Sequence, residues 1–290
     1  MHYKEKAVLS SKNGLRMYEG CTNGCIYCDS RSICYQMKHE FDDIEVIPDA
    51  PEKLEGILRR KRKHCMIGTG SMSDPYIHLE SRLGYTRKSL EVINKYGFGV
   101  TLLTKSANVI NDIDILGEIN QKSKCIVQMT MTTFDDELCK KVEPNVSVTS
   151  QRFEALMKLR EKGIETVVWL VPILPFINDT EENIKGLLHM CVEAHVYGII
   201  CFGMGLTLRE GSREYFYEQL DKKFPGIKQK YIEKYRYAYE LRSDNHDRLM
   251  QIFYEECIKK NIVCDNNKIF QHLFTYESKA CYEQLDLFHL

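Results

Sequence analysis

The sequence predicts an α/β fold: a partial (β/α)6 barrel of the TIM type, followed by a C-terminal helical appendage. Three observations predict it. Six short apolar runs recur at roughly thirty-residue intervals, with helical patterns between them. One of these runs, Thr166 to Val171, is nearly all apolar, as a strand buried on both faces of a parallel sheet must be. After Phe202 only helical spacing remains.

The elements follow in order. Arg16 to Gly20 reads as a short strand leading into a cysteine-bearing loop. Pro51 to Lys63 reads as a helix ending in the basic run Arg59 to His64. Cys65 to Gly70 is the next strand. Leu79 to Tyr96 is helical, with Leu83, Leu90 and Ile93 apolar and Gly97 as the C-cap. Phe98 to Thr104 is a strand, Asn111 to Gln121 a helix, and Lys124 to Thr132 a strand. Ser150 to Lys162 is a helix with Phe153, Leu156, Met157 and Arg160 on one stripe, stopped by Gly163. The strand Thr166 to Val171 leads to a helix from Thr180 to Ala194, whose positive first turn holds Glu181 and Glu182. Gly198 to Phe202 is the last strand. Beyond it, Leu241 to Lys260 carries Leu249, Ile252, Phe253, Cys257 and Ile258 at helical spacing. The expected division is a barrel core over 1–206 and a helical extension packed on it over 207–290.

Composition narrows the class. A chain of 290 residues, 43% hydrophobic, can bury the core of one large α/β domain or two small ones. A net charge of −1 argues against polyanion binding by bulk electrostatics. The first residues, Met1 to Lys6, lack the apolar core of a signal peptide. The most apolar run, Val167 to Ile177, is too short to cross a membrane and holds two prolines. Twelve cysteines without a secretion signal read as reduced thiols in the cytoplasm.

Three of those cysteines carry the chemistry. Cys21, Cys25 and Cys28 lie in the spacing Cys-x3-Cys-x-aromatic-Cys, on a loop after the first strand. Three thiolates can hold three irons of a [4Fe–4S] cluster and leave the fourth open to a small molecule. The fillers Thr22, Asn23 and Gly24 suit a backbone that wraps tightly. A zinc site would favour Cys-x2-Cys pairs arriving in twos, and no second such pair occurs. In parallel barrels the chemistry gathers at the C-terminal ends of strands. There the sequence places Gly68 to Tyr76, with Ser73 and Asp74 as polar groups for a cofactor amine or water. It also places Lys105, suited to a carboxylate, and Thr130 and Thr132, which alternation puts on one face.

These segments, in their order, resemble the radical S-adenosylmethionine (radical SAM) superfamily and, within it, the spore photoproduct lyase or DNA repair photolyase-like family. The resemblance rests on Cys21 to Cys28, Gly68 to Tyr76, Thr104-Lys105-Ser106, Thr133 to Glu137, Val142-Glu143-Pro144 and Val171 to Pro175. It implies a [4Fe–4S] cluster on Cys21, Cys25 and Cys28, with S-adenosylmethionine on the open iron. It also implies reductive cleavage of that cofactor to a 5′-deoxyadenosyl radical, and a reductant such as flavodoxin or ferredoxin. Tyr27 would pack near the adenine, Ser73 and Lys105 would contact the cofactor, and Asp74 and Thr132 are further candidates. The family's usual Gly-Gly-Glu is absent. Ser71 stands where spore photoproduct lyase has its hydrogen-donating cysteine, and a serine hydroxyl is a much poorer hydrogen-atom donor.

Other readings stay open. One is a DNA photoproduct lyase, and another is a non-catalytic metal- or nucleic-acid-binding module. The run Arg59 to His64 could meet phosphates, or be a solvated helix end. The stretch Lys228 to Tyr239 could stack bases, or pack Tyr231, Tyr235 and Tyr239 on the domain. Cys257, Cys264 and Cys281, with Cys191 or Cys201, could hold a second cluster, or be plain buried thiols. The histidines, His189 and His195 included, read as structural. The substrate is not specified by any motif.

Overall fold

The structure is a computed structural model, and it describes residues 7–279. The chain opens with strand β1 (Tyr18–Glu19), two single 3-10 turns, β2 (Glu45–Val46) and helix α1 (Ala50–Leu58). Next come β3 (Met66–Thr69), α2 (Glu80–Leu83), α3 (Tyr85–Lys95), β4 (Gly99–Thr104), a 3-10 segment over Ala107–Asp112, α4 (Ile113–Lys122) and β5 (Cys125–Thr130). The core continues with α5 (Asp136–Val142), α6 (Thr149–Glu161), β6 (Glu165–Trp169), α7 (Glu181–Glu193) and β7 (Gly198–Ile200). The remainder is β8 (Gly205–Thr207), α8 (Ser212–Lys223), α9 (Ile227–Tyr235), β9 (Glu240–Arg242), α10 (His246–Lys259) and α11 (Asn266–Phe274).

The strands β3-β4-β5-β6-β7 form one five-stranded, all-parallel sheet in sequence order. Register sets Ile67 beside Val100, Leu102 beside Val127 and Val168 beside Ile199. Every residue of β5 is buried, which is why its sequence does not alternate. The helices cover the sheet, α1 against α3, α3 against α4, and α6 against β6. This is a partial barrel, and all five strands deliver their C-terminal ends to one rim.

The first expected strand departs from the expected pattern. Residues 18–19 pair antiparallel with 45–46 instead of joining the parallel sheet. Only a bridge between Gly14 and Gly68 continues the sheet on that edge, with Leu15 N–H donating to the Gly68 carbonyl at 2.6 Å. Arg16 and Glu19, paired at 3.1 Å, explain the departure: a strand covered on both faces cannot hold them. The residues after Phe202 are not helical throughout. β8 and β9 pair antiparallel, so α10 begins at His246, not Leu241. The opposite edge of the sheet gains a parallel bridge from Val263 to Gly198.

Two helical stripes also shift. In α6 the buried residues are Thr149, Arg152, Ala155, Leu156 and Leu159, while Phe153 and Met157 are half-buried and Arg160 is exposed. In α10 the buried stripe is Leu249, Ile252, Phe253 and Cys257, and Ile258 is 75% exposed. The long helix expected over 79–96 is interrupted at Gly84.

The extension shares the barrel's core. Leu249, Phe253 and Cys257 belong to the same apolar cluster as Val100, Val127 and Val168, and α10 packs on α7. Truncating the fully buried Phe253 to alanine should cost about 3–5 kcal/mol. The check is a thermal melt: one cooperative transition moved to lower temperature is expected, and two separate transitions would show that extension and barrel unfold apart.

Candidate active site

The cysteine loop is held over the barrel rim by backbone bonds to distant segments. Cys21 N–H donates to Phe41 at 3.0 Å, Ile26 N–H to Val142 at 3.0 Å, and Asn145 N–H to Asn23 at 3.2 Å. The Asn145 carboxamide also donates to the Thr22 carbonyl at 2.8 Å. Gly24 turns the loop at φ +67°, and a Cβ there would sit 3.0 Å from Pro144. All three cysteines are free; Cys21 and Cys25 are buried and Cys28 is half-buried.

Two cavities meet at these thiols. The smaller, about 110 Å³, is lined by all three cysteines together with Ser71, Ser73, Asp74, Lys105 and Thr130. The larger, about 450 Å³, is lined by Cys25, Tyr27, Cys28, Lys105, Val171 and Pro172, and by Phe202, Leu206, Glu240, Arg242 and His246. Lys105 lines both. Gly70, on the smaller cavity, has φ +95°, and a Cβ there would fall 1.8 Å from the Leu103 carbonyl oxygen. Only glycine lets these two strand ends close so tightly.

Asp74 ties the rim together. Its carboxylate is buried and accepts four bonds: Thr104 hydroxyl at 2.7 Å, Lys105 N–H at 2.8 Å, Tyr76 N–H at 2.9 Å and the Asn23 carboxamide at 3.2 Å. Both oxygens are thereby used within the protein. Asp74, a candidate cofactor contact, lines the smaller cavity and fixes the cysteine loop and the end of β4 to the loop after β3. Ser73 donates its hydroxyl to the Gly20 carbonyl at 2.6 Å and keeps oxygen lone pairs as acceptors on the smaller cavity.

Thr132 does not line either cavity. β5 ends at Thr130, so strict alternation stops before it. Its hydroxyl lies 3.4 Å from that of Thr133, and its carbonyl accepts from Asn178 and Asn183. Thr130, its expected partner, does line the smaller cavity.

A charged group is buried under the loop. Glu143 and Arg152 are wholly buried and bridge at 2.5 Å. The Tyr27 phenol donates to the other Glu143 oxygen. Arg152 also donates to the carbonyls of Thr130 and Ser147, each at 2.8 Å. Burial alone would raise the pKa of the Glu143 carboxyl, but Arg152 and Lys105 outweigh it and hold it below the ordinary value. Burial likewise opposes charge on Lys105, yet Cys25 and Glu143 keep its pKa above the ordinary lysine value. The Lys105 ammonium lies 5.8 Å from the centre of the Tyr27 ring. Burial pushes the Cys21 thiol up to about 11 and the Cys25 thiol well above the usual range. Coordination to a metal deprotonates such thiols outright. Neither the Glu143 bond to Tyr27 nor the role of Arg152 was expected from the sequence; the available signals were the Val-Glu-Pro motif and an arginine on the buried stripe of α6.

The donor set fits an iron–sulfur cluster better than a single zinc ion. The sulfurs of Cys21, Cys25 and Cys28 do not all lie within 4.8 Å of one another. Zinc bonds of about 2.3 Å would bring its thiolates to about 3.8 Å. The loop supplies no fourth thiol, and cavities adjoin the three it has.

The other candidate segments lie elsewhere. Arg59 to His64 is on the loop before β3, at the opposite end of the sheet from the rim. Tyr231 is fully buried, donating to the Pro175 carbonyl at 2.7 Å and packed edge-on against Phe176 and Phe216 and tilted on Tyr235, so it offers no face to a base. Tyr239 is half-exposed and bonds Arg209 at 3.1 Å. Cys257 is buried and Cys264 half-buried beside it, and Cys281 lies outside the described residues. Glu19, His39 and Glu45 converge beside β1 and β2, where Arg16 already pairs with Glu19. Among the described residues, no helix is long and apolar enough to cross a membrane.

A five-stranded parallel partial barrel with three unbridged thiols at its rim, beside a half-buried lysine, defines a class: α/β enzymes that work through a metal cluster held at the strand ends. Residues 15–191 match the family model of the Radical SAM superfamily, and the chain belongs to that superfamily. Its cofactors are a [4Fe–4S] cluster and S-adenosylmethionine. An uncharacterized protein of Mycobacterium tuberculosis is 26% identical over 238 residues, covering 79% of this chain and 69% of that one. One from Methanocaldococcus jannaschii is 30% identical over 171 residues, covering 59% and 64%. The radical SAM Nα-GlyT isomerase of Pseudomonas phage M6 is 23% identical over 167 residues, covering 58% of this chain and 34% of that one. Spore photoproduct lyase complexed with dinucleoside spore photoproduct superimposes with a TM-score of 0.60 at 15% identity, covering 88% and 77% of the two chains. That likeness is one of fold.

Asp74→Asn should separate the tie from the shape. An amide cannot accept from all four donors, so at least one N–H faces another donor. The expected cost is about 1–3 kcal/mol, with a lowered melting temperature and reduced iron uptake on reconstitution. Unchanged stability and iron content would mean that the rim does not depend on this carboxylate.

Proposed function

We propose that Cys21, Cys25 and Cys28 hold the cluster, that S-adenosylmethionine lies across the wall shared by the two cavities, and that a substrate enters the larger one. The observation that carries this reading is the placement of three free thiols and Lys105 on the same two cavities. When bound and reduced, the cluster supplies the electron that splits S-adenosylmethionine into methionine and a 5′-deoxyadenosyl radical, which abstracts hydrogen from the substrate.

The protein's part is to bind, orient and exclude water. The Lys105 ammonium pairs with the cofactor carboxylate. The Ser73 oxygen, its proton committed to Gly20, accepts from the cofactor amine. Tyr27 packs beside the adenine, its ring held in place by its bond to Glu143. Val171, Pro172, Leu206 and Leu241 give the larger cavity an apolar wall. Phe202, 64% exposed, and Arg242 and Glu240 offer stacking and charge to the substrate. A one-electron donor of the flavodoxin or ferredoxin type completes the cycle.

Two experiments test this. After anaerobic reconstitution with iron and sulfide, dithionite and S-adenosylmethionine should yield 5′-deoxyadenosine from the intact protein and none from Cys25→Ala, as read by chromatography. Equal yield from both would remove the cysteine loop from the chemistry. Lys105→Ala should weaken S-adenosylmethionine about tenfold or more, the loss of one charge-assisted bond of about 1.5–3 kcal/mol. Equilibrium dialysis reads the affinity directly, and an unchanged value would unseat Lys105 as the carboxylate partner.

A further inference from the structure

Glu143 and Arg152 are buried under the cysteine loop, Lys105 is half-buried beside them, and Asp74 is buried on the opposite flank. Arg152 is spoken for by Glu143, Thr130, Ser147 and, at 3.8 Å, the Cys139 sulfur. Glu143 is spoken for by Arg152 and the Tyr27 phenol, with the Cys139 thiol at 3.7 Å. Lys105 stands beside the pair, its ammonium 5.8 Å from the centre of the Tyr27 ring whose phenol Glu143 holds. Glu143 thus stands beside two cations, and Lys105 shares the walls of both cavities with Cys25 and Cys28.

The same carboxylate also fixes geometry. It holds the phenol of Tyr27, the residue between Cys25 and Cys28. The preceding residue, Val142, accepts from Ile26 in the same loop, and the following Pro144 packs against Gly24. Three consecutive residues, 142–144, therefore grip the loop on both sides of its second cysteine.

We propose that Glu143, held by Arg152, is a positioning residue that sets the reduction potential of the cluster on the cysteine loop as well as the placement of Tyr27 and Lys105. The inference rests on the assignment of Cys21, Cys25 and Cys28 as cluster ligands. Outer groups tune a cluster through charge, hydrogen bonding and burial. A charge in a dry interior is little screened, so its loss is felt at the iron. Removing Glu143's negative charge favours the reduced, more negative cluster. Removing Arg152's charge does the reverse.

The experiment is a redox titration followed by electron paramagnetic resonance on anaerobically reconstituted full-length protein. Glu143→Gln should shift the midpoint potential upward and Arg152→Gln downward. Tyr27→Phe, which keeps both charges, should move it less than either. A merely structural pair predicts no such opposition: shifts of the same sign, or no shift, overturn the proposal. If either variant fails to fold, Lys105→Met on the cavity wall must lower the potential and Lys105→Arg must restore it, and an unchanged potential overturns the proposal equally. Iron content separates the two levels. Full iron loading of Cys25→Ala would defeat the ligand assignment itself, whereas loaded Glu143 and Arg152 variants with unmoved potentials would defeat only this inference.

Discussion

Asp74 has two carboxylate oxygens and four donors, and the donors come from three separate parts of the chain. One belongs to the cysteine loop, two to the end of β4, and one to Asp74's own loop after β3. A buried carboxylate so fully bonded resists movement, because releasing any donor into a dry rim leaves a polar group unpaired. The relative placement of the thiols and of Lys105 follows from this node, since Lys105 is bound through its own backbone N–H. The cysteine loop is thus not a flexible flap laid over the barrel. It is locked to the strand whose terminal lysine must face it.

A second lock works from the other side. Residues 142–144 hold Ile26, Tyr27 and Gly24, while Arg152 anchors Glu143 to the carbonyls of Thr130 and Ser147. A buried ion pair carries a large desolvation cost, and evidence that such pairs stabilise folds is weak. Its presence here is better understood through what it positions. With Asp74 on one flank and Glu143 on the other, the ten-residue reach from Gly20 to Asp29 needs almost no regular structure of its own.

Much of the architecture was legible from period and punctuation. The buried parallel strands announce themselves as apolar runs, and Thr180, Gly97 and Gly163 mark helix ends where expected. The thiol spacing was legible because it is local. The unread parts share one cause: they depend on partners far away in sequence. Asp74 sits in an unremarkable loop until Thr104 and Asn23 are brought beside it. Arg152 occupies a core position of α6, and a charged residue there displaced the expected stripe toward Phe153 and Met157. β8 and β9 have three residues each, too few for alternation to register. Thr132 was assigned inward by an alternation that ends two residues earlier.

The larger cavity has walls of two origins. Thiols, Lys105 and Pro172 come from the barrel, while Leu206, Leu241, Arg242 and His246 come from β8, β9 and the start of α10. The second set contributes nothing to the loop's locks at Asp74 and Glu143. The two sets nevertheless meet: Leu206 and Leu241 pack in one apolar cluster with Cys25, Ile26 and Tyr27, and Arg209 pairs with Asp29 just beyond Cys28. A change of side chain on that wall is therefore passed to the seat of the thiols, so the shape of the compartment and the set of the cysteine loop are altered together.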